Sequence, residues 1–244
     1  MKSPTPQLPK HIAIIMDGNR RWARKNKLEI FKGHQKVAEE GIERLVDHCL
    51  NRGISYLTLW AFSTENWKRD RAEVEAILQL MRSLFVKGAG KLTEKKIKIA
   101  TIGDLSRFPW DIQESIKKLK ESCRTDYQLT VTFALNYGGR DEIARAVSKL
   151  LDQLAAANQT GQSHALLNTT QIEQSLSGFL DTSFLPDPDL IIRTGGEQRL
   201  SGFMPWQSVY AELYFTNVLM PDFDETQLDQ AIDDYLNRER RFGK

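Results

Sequence analysis

The 244-residue chain predicts an α/β fold: a single domain built on one open, mostly parallel sheet of about six strands with helices on both faces. Three observations carry this expectation. Short apolar, β-branched runs alternate with longer segments whose apolar residues recur at helical spacing, the order that βαβ units produce. The short runs are apolar nearly throughout, as in strands covered on both faces. Four of them end in polar motifs, and open parallel sheets bind ligands outside the carboxyl ends of their strands.

Residues 1–10, with Pro4, Pro6 and Pro9, read as an extended arm. Strand one covers about 11–16 and ends at Asp17-Gly18-Asn19, a turn that opens a helix-compatible segment. Residues 18–33 are rich in Arg and Lys, with Gly33-His34 as punctuation. A helix follows over His34–Asn51, where Val37, Ala38, Gly41, Ile42, Leu45, Val46 and Cys49 share a face and Gly53 ends it. Strand two is Ile54–Phe62, and the polar loop Ser63-Thr64-Glu65-Asn66-Trp67-Lys68-Arg69-Asp70 follows it. The next helix, about Arg71–Leu92, has an apolar face wider than one stripe. Core packing on two sides is the plain reading of that face; the alternative is that one flank lines an apolar ligand cavity.

Strand three is about Lys96–Ile102, followed by a helix over Pro109–Cys123. Strand four is about Gln128–Leu135 and ends in Asn136-Tyr137-Gly138-Gly139-Arg140, ahead of a helix containing Ile143, Val147 and Leu150. The Ala-, Asn-, Gln- and Ser-rich residues 155–168 read as a mobile surface loop, with a short helix near 169–178 after it. Strand five is Asp189–Ile192, strand six is near Leu213–Thr216, and a last helix starts near Asp224 and ends in Arg238-Glu239-Arg240-Arg241.

Composition narrows the function classes. A net charge of +2 made of 34 basic and 32 acidic residues excludes a bulk nucleic-acid binder. Cys49 and Cys123 lie far apart within helical patterns and read as free buried thiols in a reducing compartment. The first apolar run stops at Asp17, too short for a secretory h-region or a membrane span, so a soluble cytosolic protein is expected, with room for peripheral membrane contact.

The strand-end motifs carry the chemistry. Asp17-Gly18-Asn19 admits three readings: a turn without chemistry, a phosphatase-like nucleophilic Asp, or a magnesium-diphosphate site. The phosphatase needs a second acid where Asn19 stands, whereas the nearby arginines suit diphosphate oxygens. Arg24 and Lys25 are assigned to solvent. Arg193-Thr194-Gly195-Gly196-Glu197-Gln198-Arg199-Leu200-Ser201 places two arginines and a hydroxyl around a Gly-Gly turn where backbone amides can approach an anion. It is no Walker A loop, and neither a zinc cluster nor a nucleophile elbow is present in the sequence.

Together these motifs resemble the cis-prenyltransferase family, and closely its bacterial undecaprenyl diphosphate synthases. The resemblance runs from His11 to Arg241 through Met16-Asp17-Gly18-Asn19-x-Arg21-Trp22-Ala23, Gly33-His34, Phe62-Ser63-Thr64-Glu65-Asn66-Trp67-x-Arg69, Asn136-Tyr137-Gly138-Gly139-Arg140, Ile192-Arg193-Thr194-Gly195-Gly196-Glu197 and Ala211-Glu212-Leu213-Tyr214-Phe215. It implies condensation of isopentenyl diphosphate onto an allylic diphosphate, usually farnesyl diphosphate, with cis double bonds. It further implies Mg²⁺, a homodimer and a hydrophobic tunnel for the growing chain.

By the resemblance, Asp17 and Asn66 are the catalytic pair, and Asp17 and Glu212 hold the metal. Gly18, Asn19, Arg20, Arg21, Trp22 and His34 surround the allylic diphosphate, and Arg193, Arg199, Leu200 and Ser201 hold isopentenyl diphosphate. Ser63, Thr64, Glu65, Trp67 and Arg69 form a loop over the site with Asn66, whose neutral amide is expected to orient a proton-accepting phosphate or water. Ile30 stands where the family usually has an arginine, with Lys32 and Arg20 as nearby substitutes. Small Ala61, and Leu129 at the tunnel floor, suit a long product of the undecaprenyl type. A catalytically silent partner subunit would lose Asp17 and the Arg193–Glu197 segment, and both are intact.

Overall fold

The computed structural model describes residues 7–87, 95–123, 125–159 and 167–238. The first six residues of the expected arm, the end of the Arg71–Leu92 helix beyond Lys87, residues 160–166 of the expected loop and residues 239–241 lie outside these.

The six strands are β1 (His11–Ile15), β2 (Tyr56–Ser63), β3 (Ile97–Ile102), β4 (Leu129–Tyr137), β5 (Leu190–Arg193) and β6 (Glu212–Phe215). They form one sheet in the order β3-β4-β2-β1-β5-β6, and all five pairings are parallel. The sheet is therefore wholly rather than mostly parallel. Its strands read as apolar runs because both faces are covered: every residue of β1 and of β4 is buried. On one face Ile12, Ile14, Leu57 and Leu59 pack with helical residues such as Leu45, Ile77, Ile116 and Leu228. The other face buries Ala13, Ile15, Ala134, Tyr137, Phe203 and Met204.

The helices are α1 (Asn19–Lys25), α2 (Phe31–Lys36), α3 (Ile42–Asn51), α4 (Arg71–Arg82), α5 (Trp110–Glu121), α6 (Gly139–Gln159), α7 (Thr169–Phe179) and α8 (Glu225–Asn237). α2 and α3 are joined by a π turn, Val37–Gly41, so the expected His34 helix begins earlier, at Phe31. Gly33 is no punctuation: it lies inside α2, where a Cβ would sit 2.2 Å from the Asn19 carbonyl oxygen. Gly53, at φ 75°, ends α3 as expected, and the Ile54 N–H donates back to the Cys49 carbonyl. α4 likewise passes into a π turn, Ser83–Lys87.

One expectation fails. Residues 155–159 are not loop but the last part of α6, and Asn168 is the N-cap of α7, its side chain accepting from the Gln171 N–H at 2.9 Å. Ala155, Ala156 and Ala157 are strong helix formers, so propensity prolongs a segment whose polarity suggested a loop.

The register places the site. Ile15 pairs with Trp60 on one side and with Arg193 on the other, so β1, β2 and β5 end side by side. The chain leaves β1 for β2 on one flank and returns to β5 on the other, which opens a crevice at the carboxyl ends.

Candidate active site

Asp17 follows β1 into this crevice. Its backbone N–H donates to Thr194 Oγ1 at 2.9 Å, and that hydroxyl donates to the Asp17 carbonyl at 2.7 Å, so the loops after β1 and β5 are stitched together. Gly195 permits this closeness: at φ 86°, a Cβ there would meet Arg21 Nη2 at 2.6 Å and Asp17 backbone atoms at 3.2 Å. The Asp17 carboxylate accepts from the Gly18 N–H at 2.6 Å and from Arg193 Nη2 at 3.0 Å, with Arg21 Nη2 at 3.4 Å. The nearly buried Arg193 guanidinium also donates to Ser201 Oγ at 2.8 Å and to the Arg199 carbonyl. Glu197 lies between Arg199 (2.5 Å) and Arg21 (3.9 Å) and links the two arginines.

Two cavities share this rim. The polar one, about 290 Å³, is lined by Met16, Asp17, Gly18, Asn19, Arg20, Arg21, Arg24, His34 and Arg69. The other, about 280 Å³, has Asp17, Asn19, His34, Ser63, Asn66, Arg69, Arg193 and Ser201 at its polar end. Its remaining wall is mostly apolar: Val37, Ala38 and Ile42 around the first π turn, Ala61 of β2, and Ile77, Leu80, Met81 and Leu84 from α4 and its π turn. One flank of α4 thus lines a cavity, which was the alternative to pure core packing.

Several polar atoms at the rim are buried without a protein partner: Asn19 Oδ1, Arg20 Nε, His34 Nε2 and Arg193 Nε. Such atoms are costly unless a ligand or water meets them. Burial, and then the charges of Arg69 and Arg20, pull the His34 imidazole down to about 4. It is neutral at pH 7, able to donate one N–H but adding no fixed charge. Arg20 and Arg69 are both held by Glu73, at 3.7 Å and 2.8 Å. Asn66 Oδ1 accepts from the Ser63 N–H at 3.0 Å in a capping box, which leaves the amide NH₂ as its free end.

The structure thus gathers Asp17, Gly18, Asn19, Arg20, Arg21, His34, Ser63, Asn66, Arg69, Arg193 and Ser201 around one rim, with Arg199 reaching it through its carbonyl. Other expected residues do not line either cavity. Trp22 lies under Lys36 Nζ and donates to Asp222. Thr64 donates to Glu65, Trp67 packs inward on Phe62 and Phe108, and Leu200 packs on the second face of the sheet. Leu129 is buried in the core away from the cavity wall. Glu212 pairs in register with Leu190, three residues before Arg193, which puts it roughly 10 Å back along the sheet from the rim. There Arg238 Nη1 holds it at 2.7 Å, so within one chain it does not join Asp17. Lys32 donates to Gln35 outside both cavities, whereas Arg20 lines the polar one. Sequence reasoning missed Arg24, Glu73 and Glu197; spacing Arg20 and Arg24 by four residues on a helix was the available signal for the first.

Among the described residues no three His, Cys, Asp or Glu side chains converge as a metal cage. Asp17 alone offers a carboxylate at the rim, a donor set that fits Mg²⁺, which binds through one or two carboxylates plus phosphate oxygens and water. Among the described residues, no helix is long and apolar enough to cross a membrane.

Comparison with known proteins agrees with this geometry. Residues 15–243 match the prenyltransferase family model described as undecaprenyl diphosphate synthase. An isoprenyl transferase of Clostridium tetani is 43% identical over 97% of this chain and 89% of its own. A ditrans,polycis-undecaprenyl-diphosphate synthase of Xanthomonas oryzae, named as (2E,6E)-farnesyl-diphosphate specific, is 41% identical over 98% of this chain and 90% of its own. Among solved structures, lavandulyl diphosphate synthase from Lavandula x intermedia, in complex with dimethylallyl diphosphate, superposes with a TM-score of 0.88 at 33% identity, covering 97% of this chain and 99% of that one. An undecaprenyl diphosphate synthase from Campylobacter jejuni gives 0.77 at 35% identity, covering 98% and 99%. With an arginine-lined pocket opening into an apolar cavity and relatives of this kind along nearly its whole length, the chain belongs to the undecaprenyl diphosphate synthase family of cis-prenyltransferases and is a transferase of prenyl groups.

Proposed function

We propose that the chain, as one prenyltransferase domain, condenses isopentenyl diphosphate units onto an allylic diphosphate with cis double bonds, giving a long polyprenyl diphosphate of the undecaprenyl type. The observation that carries this reading is the shared rim: a polar cavity bearing four arginines opens beside a mostly apolar one. Farnesyl diphosphate is the proposed primer, on the printed specificity of the Xanthomonas relative. The diphosphate takes the polar cavity, where Arg20, Arg21 and Arg69 donate to its oxygens and the neutral His34 adds an N–H. The hydrocarbon takes the apolar cavity along α4.

Asp17 would hold Mg²⁺ against the diphosphate, and the metal supplies charge neutralisation for the departing group. Arg193, fixed between Asp17 and Ser201, orients isopentenyl diphosphate so that its double bond faces the allylic carbon. Asn66 presents its NH₂ at the rim and so orients the phosphate oxygen or water that removes the proton, rather than acting as the base. The proposed working form is a cytoplasmic homodimer: β6 is an edge strand, and the exposed Val209 and Tyr210 precede it. Product release is proposed to involve peripheral contact with a membrane.

The test is incubation with farnesyl diphosphate, labelled isopentenyl diphosphate and Mg²⁺, with product length and double-bond geometry measured. Labelled long-chain cis products are expected, and EDTA is expected to abolish them. Absence of any labelled prenyl product would sink the reading. A parallel run with dimethylallyl diphosphate as primer reports primer preference.

A further inference from the structure

Asn136, near the end of β4, lines neither cavity, yet it is 3% exposed and sits at φ 47°, in the left-handed region. Its side-chain amide bridges two loops. Nδ2 donates to the Asp104 carbonyl at 2.8 Å, and Oδ1 accepts from Trp67 Nε1 at 2.8 Å. The partners fix this orientation, since an indole N–H only donates and a carbonyl only accepts. The Asp104 end is itself anchored: at Gly103, φ 100°, the chain crosses so near β4 that a Cβ would stand 2.1 Å from the Leu135 carbonyl oxygen.

The Trp67 end belongs to the turn Thr64–Lys68, flanked by Ser63 and Arg69, three of whose residues face the rim. The indole ring is boxed by Phe62 at 4.9 Å, Phe108 at 5.4 Å and the Arg107 guanidinium at 4.8 Å. A second contact seats the same turn two residues further along: a Cβ on Gly138 would lie 2.7 Å from Thr64 Oγ1. The segment after β4 therefore meets both ends of the turn.

We propose that Asn136 is a positioning residue for the condensation: it fixes the turn through Trp67, so that Asn66 and Arg69 face the rim without Asn136 touching substrate. The inference rests on the prenyl-transfer reading above. A glycine at 136 suits the positive φ and removes both amide bonds, so Asn136→Gly separates positioning from backbone strain.

Asn136→Gly is expected to lower kcat about tenfold or more, with the melting temperature within a few degrees of wild type and the Trp67 indole N–H resonance shifted in the free enzyme. Asn136→Asp, which keeps an oxygen for the indole, is expected to recover part of the rate. In a Trp67→Phe background, Asn136→Gly should cost less than about threefold, because both changes break one link. Full additivity of the two losses, or a kcat within twofold of wild type despite the shifted indole resonance, would overturn the inference alone. If the wild-type enzyme makes no prenyl product, the reading of the site falls and this inference falls with it.

Discussion

The Arg193 guanidinium, almost fully buried at the end of β5, donates to Asp17, Ser201 and the Arg199 carbonyl at once. Only a planar five-donor fork meets three acceptors in those directions. Arg193→Lys should therefore reduce kcat/KM for isopentenyl diphosphate about a hundredfold, while circular dichroism stays unchanged. A variant within fivefold of wild type would show that charge alone suffices. Arg20 and Lys32 part in the same manner. Arg20 lines the polar cavity and is tethered by Glu73, but Lys32 is turned to Gln35. Steady-state kinetics should show Arg20→Ala raising the farnesyl diphosphate KM several-fold and Lys32→Ala changing it less than twofold. Equal effects would mean that ligand binding redirects Lys32. Residue identities at the strand ends were legible in the sequence, but facing was not. In the turn after β2 the cavity-facing residues are Ser63, Asn66 and Arg69, spaced by three, as a 3₁₀ turn dictates. A loop drawn from sequence has no period, so Thr64, Glu65 and Trp67 were grouped with them.

At the scale of elements, α4 and the α2–π turn–α3 segment are the walls of the apolar cavity. The Leu84 side chain stands in the second π turn, on the wall formed by α4. Leu84→Trp is expected to shift the product distribution to shorter chains, read by chromatography of the labelled products, with the farnesyl diphosphate KM changed less than twofold. An unaltered distribution would place the growing chain elsewhere. Strands and most helix limits were legible because a doubly covered strand is an apolar run and a helix end carries Gly53 or a cap. α1 was foreseen only as a helix start, since seven residues show too little period to delimit. The π turns left no mark at all: an extra residue in a helical turn preserves composition and shifts the period only locally.

For the whole molecule, two buried histidines sit at different ends of β1-linked structure. His11 is boxed by the Pro186 carbonyl and Thr58 Oγ1 at the start of β1, and His34 stands at the rim beyond its end. Burial lowers each to about 4. Below the ordinary value of 6.5 the unfolded chain binds protons that the folded chain refuses. Stability should therefore fall as pH drops from about 6.5 toward 4, by roughly 3 kcal/mol per histidine at most, and level out below. Urea titrations at pH 7 and pH 5 test this; equal midpoints would mean that neither imidazole is held neutral. A bound diphosphate should pull His34 back up, so binding near pH 5 is expected to take up a proton, measurable by calorimetry in two buffers of different ionisation heat. The wholly parallel sheet and its crevice were legible from the alternation of elements. The withdrawal of Glu212 was not, because strand register, not sequence order, decides which end of β6 it occupies.

The two π turns, Val37–Gly41 and Ser83–Lys87, each hold one residue more than a regular helical turn requires. Removing a single residue from either would restore the ordinary winding and rotate everything beyond it by about 100° relative to what precedes it. Val37 with Ala38, or else Ile42, would swing away from the cavity in the first case. The bore in this fold is thus open to change by one-codon deletions and insertions, a larger step in shape than any single side-chain exchange, taken without disturbing the strands that carry the arginines.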